Sequence, residues 1–258
     1  MKSELQTRAV VLREMDHGDS DKIITFYGVN SGRLTCIAKG AKRSKKRFVN
    51  KLEMFTALDL TYVSKMQGLS RLEHAETVAH YPQLRSDSRR YLAACLIAEL
   101  LLYWVKENDP DPKSFALVLA TFSRLAESSD LELPLILFFN HFLASQGYRP
   151  VLDVCANCGK ALSSRLRYTF QPSRFGVVCE ICTPMPPGSD KALSLASIKL
   201  LHHLQSLPAD RLERFHFNRQ TRQQVFAVFR AYFVYLLQRD IHSWSLAEKM
   251  LWQGNESA

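Results

Sequence analysis

Phe55-Thr56-Ala57-Leu58-Asp59-Leu60-Thr61-Tyr62-Val63 alternates with a period of two. Leu58, Leu60 and Tyr62 fall on one face, Asp59 and Thr61 on the other. That is the pattern of a strand with one face buried. Upstream, residues 5–13, 22–27 and 33–38 form further short apolar runs, separated by Gly18, Gly28 and Gly32. Downstream, residues 70–77 read as a fifth strand after a turn at Gln67-Gly68. Five short strands in one stretch suit a small closed barrel of the OB-fold type.

Beyond Tyr81-Pro82 the period changes. Residues 88–106 read as a helix that is apolar nearly all round and therefore central. Asp109-Pro110-Asp111-Pro112 breaks it, and Pro112 suits the first turn of a second helix over 113–127. Pro134 opens a third, ended by Gly147. Ser194 caps a helix through residue 207, and residues 219–240 carry the broad apolar stripe of a last long one. Residues 151–188 differ in character, with four cysteines and Pro184, Pro186, Pro187 and Gly188 at the exit. The fold expected is α+β and multidomain: an N-terminal OB-fold β-barrel followed by an all-α domain carrying a small four-cysteine zinc-binding insertion. The expected divisions are 1–80 for a nucleic-acid-binding barrel, 81–150 with 189–258 for the helical domain, and 151–188 for the cysteine module.

The 258 residues carry a net charge of +9, which points to an anionic partner. Residues 1–80 hold the largest share at +5, and residues 81–150 are near neutral. The first seven residues contain no apolar core of a secretory signal. The most apolar stretch, 92–105, contains Glu99 and is shorter than the roughly 20 residues needed to span a bilayer. No membrane partner is expected, and the reading is of a cytoplasmic protein.

Cys155-Ala156-Asn157-Cys158 and Cys179-Glu180-Ile181-Cys182 stand 20 residues apart. This C-x2-C…C-x2-C spacing reads as one zinc site, because each turn aims two sulfurs at one point. Four thiolates close the shell and leave no position for an activated water, so the ion is expected to be structural. Two disulfides, two chance pairs and an iron–sulfur site are the alternatives. Cys36 and Cys95 fall in apolar segments and read as core residues.

Residues 39–51 contain seven basic side chains and no acidic one. Lys39, Lys42, Arg43, Lys45, Lys46 and Arg47 lie between two expected strands, where a loop could contact several phosphates. A solvated charged loop is the plainer reading. Phe48 would stack on a base or anchor the loop to the barrel. Arg8, Arg33 and Arg71, on strands, could extend the basic track, though each taken singly reads as an ordinary surface arginine. Asp16, Asp19 and Asp21 could bind a cation, though an Asp-rich turn explains them more simply. No Walker A, G-x-G-x-x-G, H-E-x-x-H or G-x-S-x-G pattern occurs, and no enzyme is expected.

The order of these features resembles the bacterial RecO family of recombination mediators. The resemblance rests on Ala9-Val10-Val11-Leu12 through His17-Gly18-Asp19-Ser20-Asp21-Lys22-Ile23, on Ser31-Gly32-Arg33, on Ala38-Lys39-Gly40-Ala41-Lys42-Arg43, on Lys46-Arg47-Phe48, and on the downstream cysteines. Ser44 departs from the proline that many relatives carry. The resemblance implies a non-enzymatic role in DNA repair and recombination. Such a protein would bind single- and double-stranded DNA, anneal complementary strands and help RecA replace single-strand-binding protein, with RecR as partner. By position the basic loop inherits the DNA contact and the cysteines the zinc. The helical domain would dock the acidic, aromatic-ended tail of single-strand-binding protein, with Arg211, Arg214, Arg219 and Arg222 as candidates. A zinc-stabilised interaction adaptor without direct DNA function is the alternative, and a hydrolase or nuclease acting with a divalent cation at the Asp16, Asp19 and Asp21 cluster is a third reading.

Overall fold

The computed structural model describes residues 4–65, 68–186, 189, 192–207 and 218–252. The expected turn at Gln67, the exit residues Pro187 and Gly188, and Arg211 and Arg214 lie outside them.

Strand β1 (Glu4–His17) is long enough to serve two neighbours. Its first half pairs antiparallel with β4 (Ala57–Val63), from Glu4↔Val63 to Val10↔Ala57. Its second half pairs with β2 (Asp21–Gly28), and the register slips between Val11 and Arg13. The extra residue, Leu12, makes a bulge, which bends the strand and lets the sheet curl. With β3 (Gly32–Ala38) and β5 (Ser70–Ala79) the order β1-β2-β3-β5-β4 returns to β1, forming a closed, OB-like barrel. A short parallel contact, Cys36↔Ser70 and Ile37↔Arg71, closes it.

Alternation decides what fills the barrel. Ile24, Phe26, Leu34, Cys36, Leu58, Leu60, Tyr62 and Leu72 point inward and are buried. Each such large apolar side chain contributes about 1.5–3 kcal/mol when fully buried. β4 starts two residues later than the alternation suggests, because Phe55 takes a left-handed φ of 69° and leaves the strand.

The chain divides between Leu131 and Glu132 into two compact units. The first joins the barrel to α1 (Gln83–Ser86), α2 (Ser88–Trp104) and α3 (Pro112–Glu127). Asp87 caps α2 by accepting from the Arg89 and Arg90 amides, and Asp111 caps α3 through Ser114. Phe55 packs edge-on against Tyr91 and Phe122 at 5.6 and 5.4 Å. Tyr27 meets Phe115 at 5.7 Å and donates its hydroxyl to the Asp111 carbonyl at 3.1 Å. Gly32 sits against this seam with a φ of 63°, where an added Cβ would lie 2.5 Å from the Lys106 carbonyl oxygen.

In the second unit α4 (Glu132–Ser145) is buried on nearly every side. Its Phe139 stacks on Trp244 at 5.2 Å and meets Phe229 and Phe233 of α6 (Arg219–Leu237). A three-stranded sheet of order β7-β6-β8 is built from β6 (Tyr168–Gln171), β7 (Gly176–Cys179) and β8 (Ala192–Leu193). Ser194 caps α5 (Leu195–Leu204) as expected, and Asn218 caps α6. Helix α7 (His242–Ala247) and a π-helical turn, Glu248–Trp252, follow and were not foreseen from the sequence. Among the described residues no helix is long and apolar enough to cross a membrane.

Candidate nucleic-acid interface and metal centre

The segment between β3 and β4 is a strap laid along the part of β1 that β4 leaves unpaired. It begins with Gly40 in a left-handed turn (φ 69°) and a single 3-10 turn, Ala41–Arg43. Backbone and side-chain bonds tie that turn to the β1–β2 hairpin, among them Lys42 Nζ donating to the Gly18 carbonyl at 3.3 Å. The Gly40 amide donates to Asp21 Oδ1 at 2.8 Å, the Lys42 amide to the Ser20 carbonyl at 2.9 Å, and Lys42 Nζ pairs with Asp16 at 3.1 Å. The Gly40 N–H first, then the Ser20 hydroxyl, hold the Asp21 carboxyl below its ordinary pKa. At the far end the Phe55 amide donates to the Val11 carbonyl at 2.9 Å. Between these anchors Phe48 and Leu52 drop into the barrel core. Phe48 therefore anchors the loop and does not offer a free ring for a base. A cleft of about 240 Å³ remains beneath, lined in part by Lys22, Lys42, Ser44, Asn50 and Glu53.

The seven cations of the strap are thus not equivalent. Lys51 Nζ donates to the Ala75 carbonyl at 2.8 Å and pairs with Glu76. Arg47 lies 4.3 Å over the Phe48 ring and donates to the Lys39 carbonyl at 2.6 Å. Lys39 is a looser partner of Asp21 at 3.9 Å. Arg43, Lys45 and Lys46 are exposed and make no ion pair with any described residue. The sequence shows no carboxylate inside the run, but the fold brings Asp16, Asp21 and Glu76 to it from other strands. That use also accounts for Asp16 and Asp21, which do not converge on a cation site.

Strand register extends the surface next to the strap. Met15, Ile23, Ile37 and Arg71 occupy one outward row across β1, β2, β3 and β5. Arg71 pairs along its own strand with Glu73. Arg8 is held by Asp59 through two bonds, at 2.9 and 3.0 Å, and Arg33 donates to the Leu102 carbonyl at 2.9 Å. Neither is a free cation. Arg13, two residues before Met15 on the same face, is exposed and was missed by the sequence reading. Its signal was alternation within β1, hidden by the bulge at Leu12.

The four cysteines converge. Their sulfurs all lie within 4.8 Å of one another, with Cys155–Cys182 and Cys158–Cys179 each at 4.0 Å. A disulfide needs about 2.05 Å. Tetrahedral zinc at about 2.3 Å from each sulfur requires sulfurs about 3.8 Å apart, which these positions fit. Among the described residues no other cluster of three or more potential metal ligands forms. Each knuckle follows from its local bonds. In the first, the Gly159 amide donates to the Cys155 carbonyl at 2.9 Å with a φ of 71°. In the second, the Cys182 and Thr183 amides both donate to the Cys179 carbonyl at 3.0 Å. Gly176 serves a different need, since an added Cβ would stand 2.5 Å from the Val151 carbonyl oxygen. Arg167 braces the module by pairing with Glu180 at 2.7 Å and donating to the Met185 carbonyl.

The sulfurs do not ionise alike. Burial resists ionisation of Cys155, but the amides of Cys179, Cys158 and Asn157 outweigh it and bring the thiol down to about 6. At Cys182 the Asn157 side chain favours the thiolate, yet burial and the neighbouring sulfurs push the thiol up to about 11. Four thiols this close cannot all become thiolates without a cation among them. Burial alone raises Cys36 to about 12 and is the main cause raising Cys95 to about 11, so both behave as unreactive core thiols.

The molecule is therefore an α+β protein with an OB-like barrel, a following helical region and a four-thiol cluster able to hold a metal. Two family models match it: "Recombination protein O N terminal" over residues 1–81 and "Recombination protein O C terminal" over residues 85–245. The chain belongs to the recombination protein O family. It is 34% identical over 221 residues to "DNA repair protein RecO" of Syntrophobacter fumaroxidans, covering 86% of this chain and 88% of that one. The protein of the same name from Syntrophus aciditrophicus is 31% identical over 248 residues, 95% of each chain. That from Geobacter metallireducens is 37% identical over 157 residues, 61% of this chain and 64% of the relative.

Proposed function

We propose that the protein is a DNA-binding recombination mediator in DNA repair of the RecF type. It anneals complementary strands and assists RecA in loading onto DNA coated with single-strand-binding protein, with RecR as partner. One observation carries the reading: Arg43, Lys45 and Lys46 stand exposed and unpaired on a strap that its own plug, Phe48, holds against an OB-like barrel. Lys39, Lys42, Arg47 and Arg71 flank them as secondary contacts. Cations held in place by a rigid support lose less entropy on meeting phosphates than a floppy tail would. Single- and double-stranded DNA are both ligands, since backbone phosphate is common to them.

In this reading residues 1–80 bind DNA, residues 81–150 and 189–258 form the helical adaptor, and residues 151–188 are a module closed by one structural zinc on Cys155, Cys158, Cys179 and Cys182. The zinc would offset thiolate charge and cross-link the two knuckles. The helical part docks the tail of single-strand-binding protein. Arg219 and Arg222 are candidates, although Arg222 also pairs with the buried Glu132 at 3.0 Å. The protein works in the cytoplasm at the nucleoid, without catalysis of its own.

The test is DNA binding and annealing at several salt concentrations, with and without Lys42→Glu, Arg43→Glu, Lys46→Glu and Arg47→Glu together. Loss of affinity with a flatter salt dependence supports the reading; unchanged annealing overturns it. The competing reading is a zinc-stabilised interaction adaptor without direct DNA function, favoured by the partial neutralisation of the strap through Asp16 and Glu76. It predicts partner binding with negligible DNA affinity at physiological salt.

A further inference from the structure

The C-terminal unit, Glu132–Ala258, holds 14 basic and 9 acidic residues, a net of +5, so the charge excess is not confined to the barrel. Among the described residues Arg167 pairs with Glu180, Arg222 with Glu132 and Arg230 with Glu248. Arg149 and Arg174 are exposed and meet no carboxylate among the described residues; Arg149 donates to the neutral Gln205 side chain at 3.2 Å.

Each of these two arginines stands next in sequence to an exposed aromatic ring. Tyr148 is 38% and Phe175 43% exposed, and Tyr235 on α6 is 38% exposed. Exposure of one ring is ordinary, but Phe175 and Tyr235 share one surface, and the chain that leaves Tyr148 reaches it. Phe175 lies 6.3 Å from Tyr235 and 6.3 Å from the buried Tyr232. Its carbonyl accepts the Val151 amide at 2.8 Å, which joins it to the chain leaving Tyr148. Burial first, then the Tyr148 and Tyr235 phenols, push the Tyr232 hydroxyl up to about 12. Phe175 has a φ of 53°, a region that a bulky residue rarely occupies. The backbone there presents a large ring to solvent at a conformational cost.

We propose that Tyr148, Phe175 and Tyr235, flanked by Arg149 and Arg174, form a second single-stranded DNA site on the C-terminal unit. Bases stack on the rings and the two guanidinium groups take adjoining phosphates. The site is independent of the strap. It gives a strand-annealing protein a place for the second strand.

The experiment uses the full-length, metal-loaded protein and a short oligothymidylate. In protein carrying Lys39→Glu, Lys42→Glu, Arg43→Glu, Lys45→Glu, Lys46→Glu, Arg47→Glu and Arg71→Glu, which removes every proposed strap contact, residual binding is expected with a log–log salt slope of about −1.4, the value for two phosphate contacts on a single strand. Adding Tyr148→Ser and Tyr235→Ser should weaken that binding by about tenfold or more, at one to two stacked bases lost. Tyr148→Phe with Tyr235→Phe keeps the rings and should keep the binding. Unchanged zinc content and circular dichroism exclude unfolding as the cause. The proposal is overturned if residual binding is absent, if it ignores the serine changes, or if those changes abolish capture of an acidic, aromatic-ended peptide while oligothymidylate binding persists. Should strap reversal leave affinity untouched, the strap reading fails and the serine changes still decide this site.

Discussion

The Gly40 amide donates to the Asp21 carboxylate at 2.8 Å, so the acidic turn after β1 and the basic strap after β3 are one piece of structure. Asp21→Ala leaves that amide without its acceptor and frees the start of the strap. Faster amide exchange over residues 39–44 and weaker DNA binding are expected, with the barrel otherwise intact. The folded carboxyl sits below its ordinary pKa of 3.8. Its stabilisation is therefore fully present above that value and is lost as pH falls through the lowered folded value. Carbon-detected titration of the Asp21 carboxyl checks the direction; an elevated pKa would sink the anchor.

Unequal pairing within the strap predicts unequal mutants. Arg43→Ala, Lys45→Ala and Lys46→Ala should each flatten the salt dependence of single-strand binding by about 0.7 in log–log slope. Lys42→Ala should flatten it less, because Lys42 already shares Asp16. Fluorescence anisotropy over a salt series reads both. Equal slopes for Lys42 and Lys45 variants would contradict the assignment.

Phe48 is 4% exposed, as a plug is. Phe48→Ala should cost about 3–5 kcal/mol of stability by leaving a cavity. Denaturant unfolding measures it. A base-stacking Phe48 would instead lose DNA affinity with little loss of stability.

Removing the metal, or changing Cys155 to Ser, should unravel the cysteine module first. Structural zinc contributes roughly 10 kcal/mol or more in small modules. Metal analysis of the native protein should find a single zinc per chain, and proteolysis after chelation should open cleavage between residues 151 and 186. A protein purified free of metal with the module still protected would exclude this role.

Gly32→Ala confronts both a left-handed φ and a carbonyl at 2.5 Å. It should destabilise the N-terminal unit by more than the 1–2 kcal/mol or so of backbone strain alone. Thermal melting of the variant gives the value.

Much of this was legible in the sequence where the signal is local. The alternation of Leu58, Leu60 and Tyr62 sets a strand face, and the C-x2-C spacing sets a thiol cluster, because in both the partners are fixed by short-range geometry. What escaped depends on partners far apart in the chain. Nothing near Lys42 in sequence announces Asp16, and nothing near Lys51 announces Glu76. Phe48 could be read as ligand platform or plug until the barrel around it was known. Arg33 looked like surface and instead holds the end of α2 through the Leu102 carbonyl.

The two matching family segments meet near residue 82, yet the first compact unit runs on to Leu131. A gene truncated at the family boundary would encode a barrel stripped of α2 and α3. Tyr27 would lose Phe115, and Phe55 would lose Tyr91 and Phe122. Such a fragment would carry a sticky aromatic seam and tend to self-associate. Where two sequence families abut is thus a poor guide to where this chain can be cut, and evolutionary shuffling of the barrel would have to carry the next fifty residues with it.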